Sequence, residues 1–308
     1  MRKSIGLLLA SASLLSLSAC SVGQLAGCEP AVPAGGLADT VVLSGALTDF
    51  PAVAAFPTPL VASSATRAIA EAGEGRLVEP GDAVSAQVTI YDGATGAVVD
   101  GGEILLFNTD PELPMFAATA CATVGSRVVT VAPAAEFLGP FATNFGFTEE
   151  QTVVGIVDIH AAFPGRASGV SVAAVEGLPA VTTAPNGQPG LTFTGAPAPT
   201  ELAVETLIQG DGEVIEAGDQ IIVNYIGVEW ETREVFDTSW TTGRPHSFNL
   251  DDVVPGFQKA VIGAQAGSRI LVAIPPSEGY GDAGGSPVAA GNTMVFVIDV
   301  LGVDRHTH

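Results

Sequence analysis

A chain of 308 residues is long enough for two domains of ordinary size. With 47% hydrophobic and 14% charged residues it can fill proper cores, which excludes a globally disordered protein. Lysine and arginine number 11 against 33 aspartates and glutamates, a formal charge of -22, so the surface lacks the clustered cations that nucleic acid or anionic lipid would need.

The chain begins MRKSIGLLLASASLLSLSAC. Arg2 and Lys3 give a cationic start, and the apolar run Ile5 to Leu17 is too short to span a bilayer, which marks residues 1–19 as a signal peptide. Leu17-Ser18-Ala19-Cys20 resembles the lipobox of bacterial lipoproteins. That resemblance implies lipid attachment at Cys20, where acyl chains contribute about 0.8 kcal/mol per buried CH₂ to membrane anchoring. Residues 20–38, rich in Gly, Ala and Pro, are expected to be the lipidated tether. Export would permit a disulfide between Cys28 and Cys121, although two separate thiols is the preferred reading.

The chain then repeats itself. GEGRLVEPGDAVSAQVTIYDGATGAVVD from Gly73 aligns without a gap to GDGEVIEAGDQIIVNYIGVEWETREVFD, which starts 137 positions later at Gly210. GSRVVTVAPAAEFLG from Gly125 matches GSRILVAIPPSEGYG from Gly267, and TVVGIVDI from Thr152 matches TMVFVIDV from Thr293. Three ordered blocks predict two copies of one fold, over residues 39–178 and 201–304. Residues 179–200 (AVTTAPNGQPGLTFTGAPAPT after Pro179) read as a Pro-, Gly- and Thr-rich linker.

Within the second copy, QIIVNYI (Gln220 to Ile226), RILVAI (Arg269 to Ile274) and MVFVIDVL (Met294 to Leu301) read as strands bounded by turn residues. VVPGFQKAVIGAQAG reads as a helix opened by Pro255, with Phe257, Ala260, Val261 and Ala264 on one apolar face and Gly263 or Gly267 at its end. Each copy is therefore expected to be α+β, an antiparallel sheet with one short helix.

Five ordered blocks carry a family resemblance: VNYIG from Val223, VFDTS from Val235, VVPGFQKAVIGAQAGSR from Val253, IPPSEGYG from Ile274 and MVFVIDVLGV from Met294. Over about residues 201–304 the chain resembles the FKBP-type peptidyl-prolyl cis/trans isomerases. The resemblance implies two tandem FKBP-like half-barrels, each an antiparallel sheet wrapped on a short helix. It implies a pocket lined by Tyr225, Phe236, Phe257 and Phe296, with Val253 and Val254 at its rim. The Val254 N–H would meet a substrate carbonyl, the Tyr280 hydroxyl would hydrogen-bond the ligand, and Asp237 would polarise the edge. No cofactor and no metal are implied. The expected activity is isomerisation of X–Pro bonds in exported polypeptides, extracytoplasmic and lipid-anchored to the bacterial cell membrane; no oligomeric state is legible.

Some residues depart from the family pattern. Phe257 stands where well-known members have Trp, His246 is read as replacing a pocket-wall Phe, and Val288 and Ala289 are read as replacing bulkier contacts. In the first copy Val88, Val99, Leu138 and Gly155 stand where the second has Tyr225, Phe236, Tyr280 and Phe296, and only Asp100 matches Asp237. That copy is read as degenerate, a peptide binder or a spacer from the membrane.

Other readings compete. Strand aromatics are usually plain core. Asp251 and Asp252 are adjacent loop carboxylates, which lack the two-sided geometry of a glycosidase, and His306 with His308 are too few for a zinc site. Trp230 and Trp240 shape peptide binding or pack the hairpin. The alternative function is a non-catalytic peptide-binding or chaperone module, which a pocket plugged by His246 would favour and a groove open beside Tyr280 would not.

Overall fold

The β-branched runs form strands, and side-chain alternation decides what each strand covers. The computed structural model describes residues 28–304 apart from Thr48, Pro111, residues 174–176, Asp282 and Ser286; the expected signal peptide, Cys20 and the terminal histidines lie outside the described residues. In the first unit β1 (Val42–Ser44) and β2 (Val53–Ala55) form a small hairpin. β3 (Thr66–Glu71), β4 (Ala83–Asp92), β5 (Val98–Phe107), β6 (Arg127–Pro133) and β7 (Thr152–Phe163) form an antiparallel sheet in the order β3-β6-β7-β4-β5. In the second unit β8 (Val170–Ser171) precedes a hairpin of β9 (Ala180–Thr183) and β10 (Pro189–Thr192). β11 (Ala203–Gln209), β12 (Gln220–Glu229), β13 (Val235–Thr238), β14 (His246–Asn249), β15 (Arg269–Ile274) and β16 (Met294–Val303) follow. Their order is β13-β12-β16-β15-β11-β8, with β14 also on β12. The sequence of neighbours β3, β6, β7, β4, β5 is thus repeated as β11, β15, β16, β12 and the interrupted β13/β14.

Helices are short. α1 (Ala134–Leu138) runs into a 3-10 turn over Gly139–Phe145. α2 (Pro255–Val261) has Pro255 at its first turn and buries Phe257, Ala260 and Val261, the face expected from their spacing. It ends at Ile262, before Gly263 turns the chain at φ +84°. Among the described residues no helix is long and apolar enough to cross a membrane.

β12 is apolar from Ile221 to Val228, Asn224 apart, because both of its faces are covered. Ile221, Val223 and Tyr225 face α2 together with Phe296, Ile298 and Val272. Ile226 and Val228 face the other way, with Trp230, Leu271, Ala273, Val295 and Val297. That second face is roofed by Leu178, Val181, Leu191, Phe193 and Ala198. The expected linker is therefore no free tether: its β9-β10 hairpin is the back cover of the sheet, since the seven apolar side chains beneath it would otherwise meet water. Trp230 is buried there, away from the pocket.

The first unit is roofed in the same way. Ala38, Ala52, Leu60 and Ala62 pack on Tyr91, Val129, Val131, Val154 and Ile156. Each roof is tied down by a buried ion pair. Arg127 donates to Asp158 at 2.6 and 2.7 Å and to the carbonyls of Gly45 and Ala46. Arg269 donates to Asp299 at 2.5 and 2.8 Å, to the Thr183 hydroxyl and to the Gly187 carbonyl. The planar fork lets one guanidinium hold a carboxylate and a loop together. The repeat therefore includes its roof.

The expected tether is also shorter than 20–38. Cys28 is disulfide-bonded to Cys121, with Cα atoms 5.7 Å apart, which corrects the preference for separate thiols. Ala34 bridges to Arg67, and Val32 and Ala38 are buried. Residues 28–38 thus belong to the first unit. At its other end, the unit gives way to the second near residue 164, because β8 already pairs with β11.

Candidate active site

In the second unit, β12, β16 and α2 meet at an angle that the side chains cannot fill. A cavity of about 270 Å³ remains between helix and sheet. It is lined by Tyr225, Phe236, Asp237, Phe248, Asp252, Val253, Val254, Phe257, Tyr280, Pro287, Met294 and Phe296. The eight residues expected from the sequence all lie on this one cavity. Its walls are edge-to-face rings: Phe296 meets Phe257 and Phe236 with centroids 5.4 Å apart, and Phe248 meets Phe257 at 6.1 Å. Gly227 allows this. It pairs with Phe296 across the sheet, and a Cβ there would lie 2.7 Å from the Phe236 ring and 2.8 Å from the Phe296 ring.

One polar cluster sits at the mouth. The Tyr225 hydroxyl donates to Asp237 Oδ2 at 2.6 Å and lies 3.3 Å from His246 Nδ1. The single hydroxyl proton goes to the carboxylate, so His246 Nδ1 must carry a hydrogen and donate to the Tyr225 oxygen. Burial, reinforced by the hydrogen bond to Asp237, pushes the Tyr225 hydroxyl far above its ordinary pKa, so the tyrosine stays protonated. Tyr280 stands at the open edge, 46% exposed.

The loop across the cavity from α2 is held by carboxylates. Glu229 accepts from the Ala289 amide at 2.7 Å, the Asn292 side chain at 3.0 Å and the Thr232 hydroxyl at 2.9 Å. The Ala289 amide above all, with the two side-chain donors, holds the Glu229 carboxyl below its ordinary value. Glu231 accepts from the Thr293 amide. These bonds present Pro287 to the cavity.

Similarity to known proteins falls on this half of the chain. Residues 212–301 match the family of FKBP-type peptidyl-prolyl cis-trans isomerases. An FK506-binding protein of Streptomyces anulatus is 39% identical over 120 residues, 38% of this chain and 97% of that protein. A probable FK506-binding protein of Corynebacterium glutamicum is 35% identical over 114 residues, again 97% of its length. FkpA of Escherichia coli, an FKBP-type peptidyl-prolyl cis-trans isomerase, is 36% identical over 104 residues, 34% of this chain and 38% of that one. This chain belongs to the FKBP-type peptidyl-prolyl cis-trans isomerases.

The second unit of the isomerase has this cavity, and in the first the space between helix and sheet is filled. Ile90 pairs with Gly155 across β4 and β7, where Gly227 pairs with Phe296. Large and small residues have changed places, and the Phe137 ring from α1 occupies the space over Gly155. Phe137, Leu138 and Phe116 are fully buried there, with Val88 and Ile90 beneath. Val99 and Asp100 point to solvent at the edge.

Several sequence expectations need correction. His246 does not replace the pocket wall. It sits behind Tyr225, and the wall is Phe248, two residues on and on the same face of β14. The cavity is open beside Tyr280, not plugged. Val288 is core, and Ala289 contributes its backbone amide, with Pro287 as the residue that lines the cavity. Phe248 and Met294 could have been found from strand alternation, each two residues from a residue on the same face; Asp252 carried no local signal. Among the described residues no group of three or more metal-ligating side chains gathers.

Proposed function

We propose that the isomerase turns over X–Pro bonds at the cavity around Tyr225, Phe236, Asp237, Val253, Val254, Phe257, Tyr280 and Phe296. We propose too that it acts as an extracytoplasmic folding helper for exported polypeptides, held to the bacterial membrane by a lipid on Cys20. In this reading the first unit is a degenerate FKBP-like copy, and the chain carries two half-barrels in tandem. The observation that carries the site is an aromatic cavity, open beside Tyr280, with one ordered carboxylate at its mouth.

The chemistry needs no nucleophile. Rotation about the X–Pro bond meets a barrier of about 18–20 kcal/mol set by amide resonance. The twisted amide has lost its charge separation, so an apolar, water-poor site favours it over the planar form that water stabilises. The rings of Phe236, Phe257 and Phe296 supply that environment and seat the proline. The Val254 N–H and the Tyr280 hydroxyl hold flanking carbonyls in the twisted geometry. Asp237, fixed by Tyr225, biases the field at the mouth.

The test is a protease-coupled isomerisation assay on the full chain beside a Phe236→Ala, Tyr280→Ala double variant. The double variant should lose most of the acceleration while its unfolding midpoint shows that it is folded. Undiminished turnover would move the site elsewhere. Membrane fractionation of wild type and Cys20→Ala tests the anchor: release of the variant into the soluble fraction is expected, and equal membrane association of both would remove the lipid from the account.

A further inference from the structure

The first unit and the segment that leaves it reach the active-site mouth through two separate linkages, both ending on one loop. That loop, residues 239–245, joins β13 to β14, so Asp237 lies just before it and His246 just after it. At its start, Ser239 accepts from the Tyr225 amide and donates to Asn224 Oδ1, and the same Asn224 donates to the Gly165 carbonyl on the segment leaving the first unit. At its end, Arg244 donates to Asp110 Oδ2 at 3.1 Å. The Asp110 side chain is only 6% exposed, and its other oxygen accepts from the Glu112 and Leu113 amides, so the carboxylate is fixed in place. Pro245, next to Arg244, is buried. The two units also share an apolar seam in which Phe163 packs flat on Gly302, beside Ala83, Ile222 and Leu301.

We infer that the first unit is a brace for the isomerase mouth, with Asp110, Arg244 and Asn224 as positioning residues that fix the loop between Asp237 and His246. This rests on placing turnover at the cavity described above. Without the brace, the loop keeps its strand ends and the packing of Trp240 on the roof, but Arg244, two residues before His246, loses its anchor. The first unit thereby serves the reaction without binding substrate, which gives a folded but filled copy a reason to be present.

The experiment is a double-mutant cycle on the full chain, with Arg244→Gln, Asp110→Asn and both together. Asn at 110 keeps an acceptor for the Glu112 and Leu113 amides and removes only the charge. Each single variant should raise KM about three- to tenfold with kcat little changed, and the double should be no worse than either. Arg244→Lys should recover part of the loss. Wild-type KM in Arg244→Gln would overturn the brace, as would losses that simply add in the double. If Asp110→Asn fails to fold, Arg244→Gln and Arg244→Lys decide alone, because Arg244 is partly exposed. A Phe236→Ala control separates the two levels. If it leaves turnover intact, the site itself is misplaced; if it destroys turnover while Arg244→Gln behaves as wild type, only the brace falls.

Discussion

Gly155 and the ring of Phe137 are in direct contact, so close that a Cβ at 155 would lie 2.0 Å from the ring's Cζ. A methyl group there must move the ring in a core with no spare room. Gly155→Ala should destabilise the first unit by about 1–3 kcal/mol, the usual cost of overpacking. Combining it with Phe137→Leu should recover part of that loss in denaturant unfolding. Equal midpoints for wild type and Gly155→Ala would mean that the space is not filled by Phe137.

Thr130 pairs with Gly155 on the same face, and its buried hydroxyl has no hydrogen-bond partner among the described residues. At the corresponding place in the second unit, Val272 faces Phe296. Thr130→Val keeps the shape and removes an unsatisfied polar group, so it should stabilise by about 1 kcal/mol. Thermal unfolding reads this directly; a lower midpoint would show that the hydroxyl is satisfied.

His246 donates to the oxygen of Tyr225, which donates in turn to Asp237. Tyr225→Phe keeps the ring packing and removes both bonds. It should lower kcat/KM by about tenfold, within the range for a lost polar contact that orders a site. Burial and the bond to Asp237 raise the Tyr225 hydroxyl above its ordinary pKa, so Tyr225→Phe should remove no high-pH limb from the wild-type profile. A limb below pH 10 that is present in wild type and absent from Tyr225→Phe would contradict the buried, hydrogen-bonded hydroxyl.

Glu229 gives the pH dependence a sign. Its carboxyl is held below the ordinary value in the folded protein, so it contributes stability above the unfolded-state pKa and loses it as pH falls through the depressed folded value. Glu229→Gln should therefore unfold at lower temperature than wild type at neutral pH, and the gap should close in acid. A gap that widens on acidification would reverse the assignment. Because the carboxylate positions the loop bearing Pro287, the same variant should raise KM.

A fragment that starts at residue 201 lacks the β9-β10 roof and should bare Ile226, Val228, Trp230, Leu271, Ala273, Val295 and Val297. It would also leave Arg269 without the Thr183 and Gly187 acceptors. Such a fragment should bind more of a hydrophobic dye and aggregate more readily than one starting at residue 164, which bares only the seam at Ile222 and Leu301. Comparable solubility of the two would show that the roof is dispensable.

The strands and the cavity residues were legible because β-branched periodicity and five ordered blocks state them locally. The roofs were not. Residues 179–200 and 28–38 are short of long apolar runs, and what orders them is distant in sequence: the Arg269 guanidinium for the first, the Cys28–Cys121 disulfide and backbone pairing with Arg67 for the second. Asp110 and Arg244 are 134 positions apart, and neither belongs to a motif. Phe137 was passed over for a different reason. Alignment to the second copy compares what each pocket residue became, and it cannot show which other side chain moved in.

In each sheet a strand at the middle is the last to be synthesised: β7 lies between β6 and β4, and β16 lies between β15 and β12. Until that strand arrives the earlier strands form two separate ladders, β3-β6 and β4-β5 in one unit, β8-β11-β15 and β12 with β13 and β14 in the other. A ribosome paused before residue 152 holds no finished sheet, while one paused between the units holds a completed brace and an isomerase not yet begun. A message cut short within β16 removes the spine of the second sheet rather than its fringe, so its product should be cleared by proteases while the first unit survives.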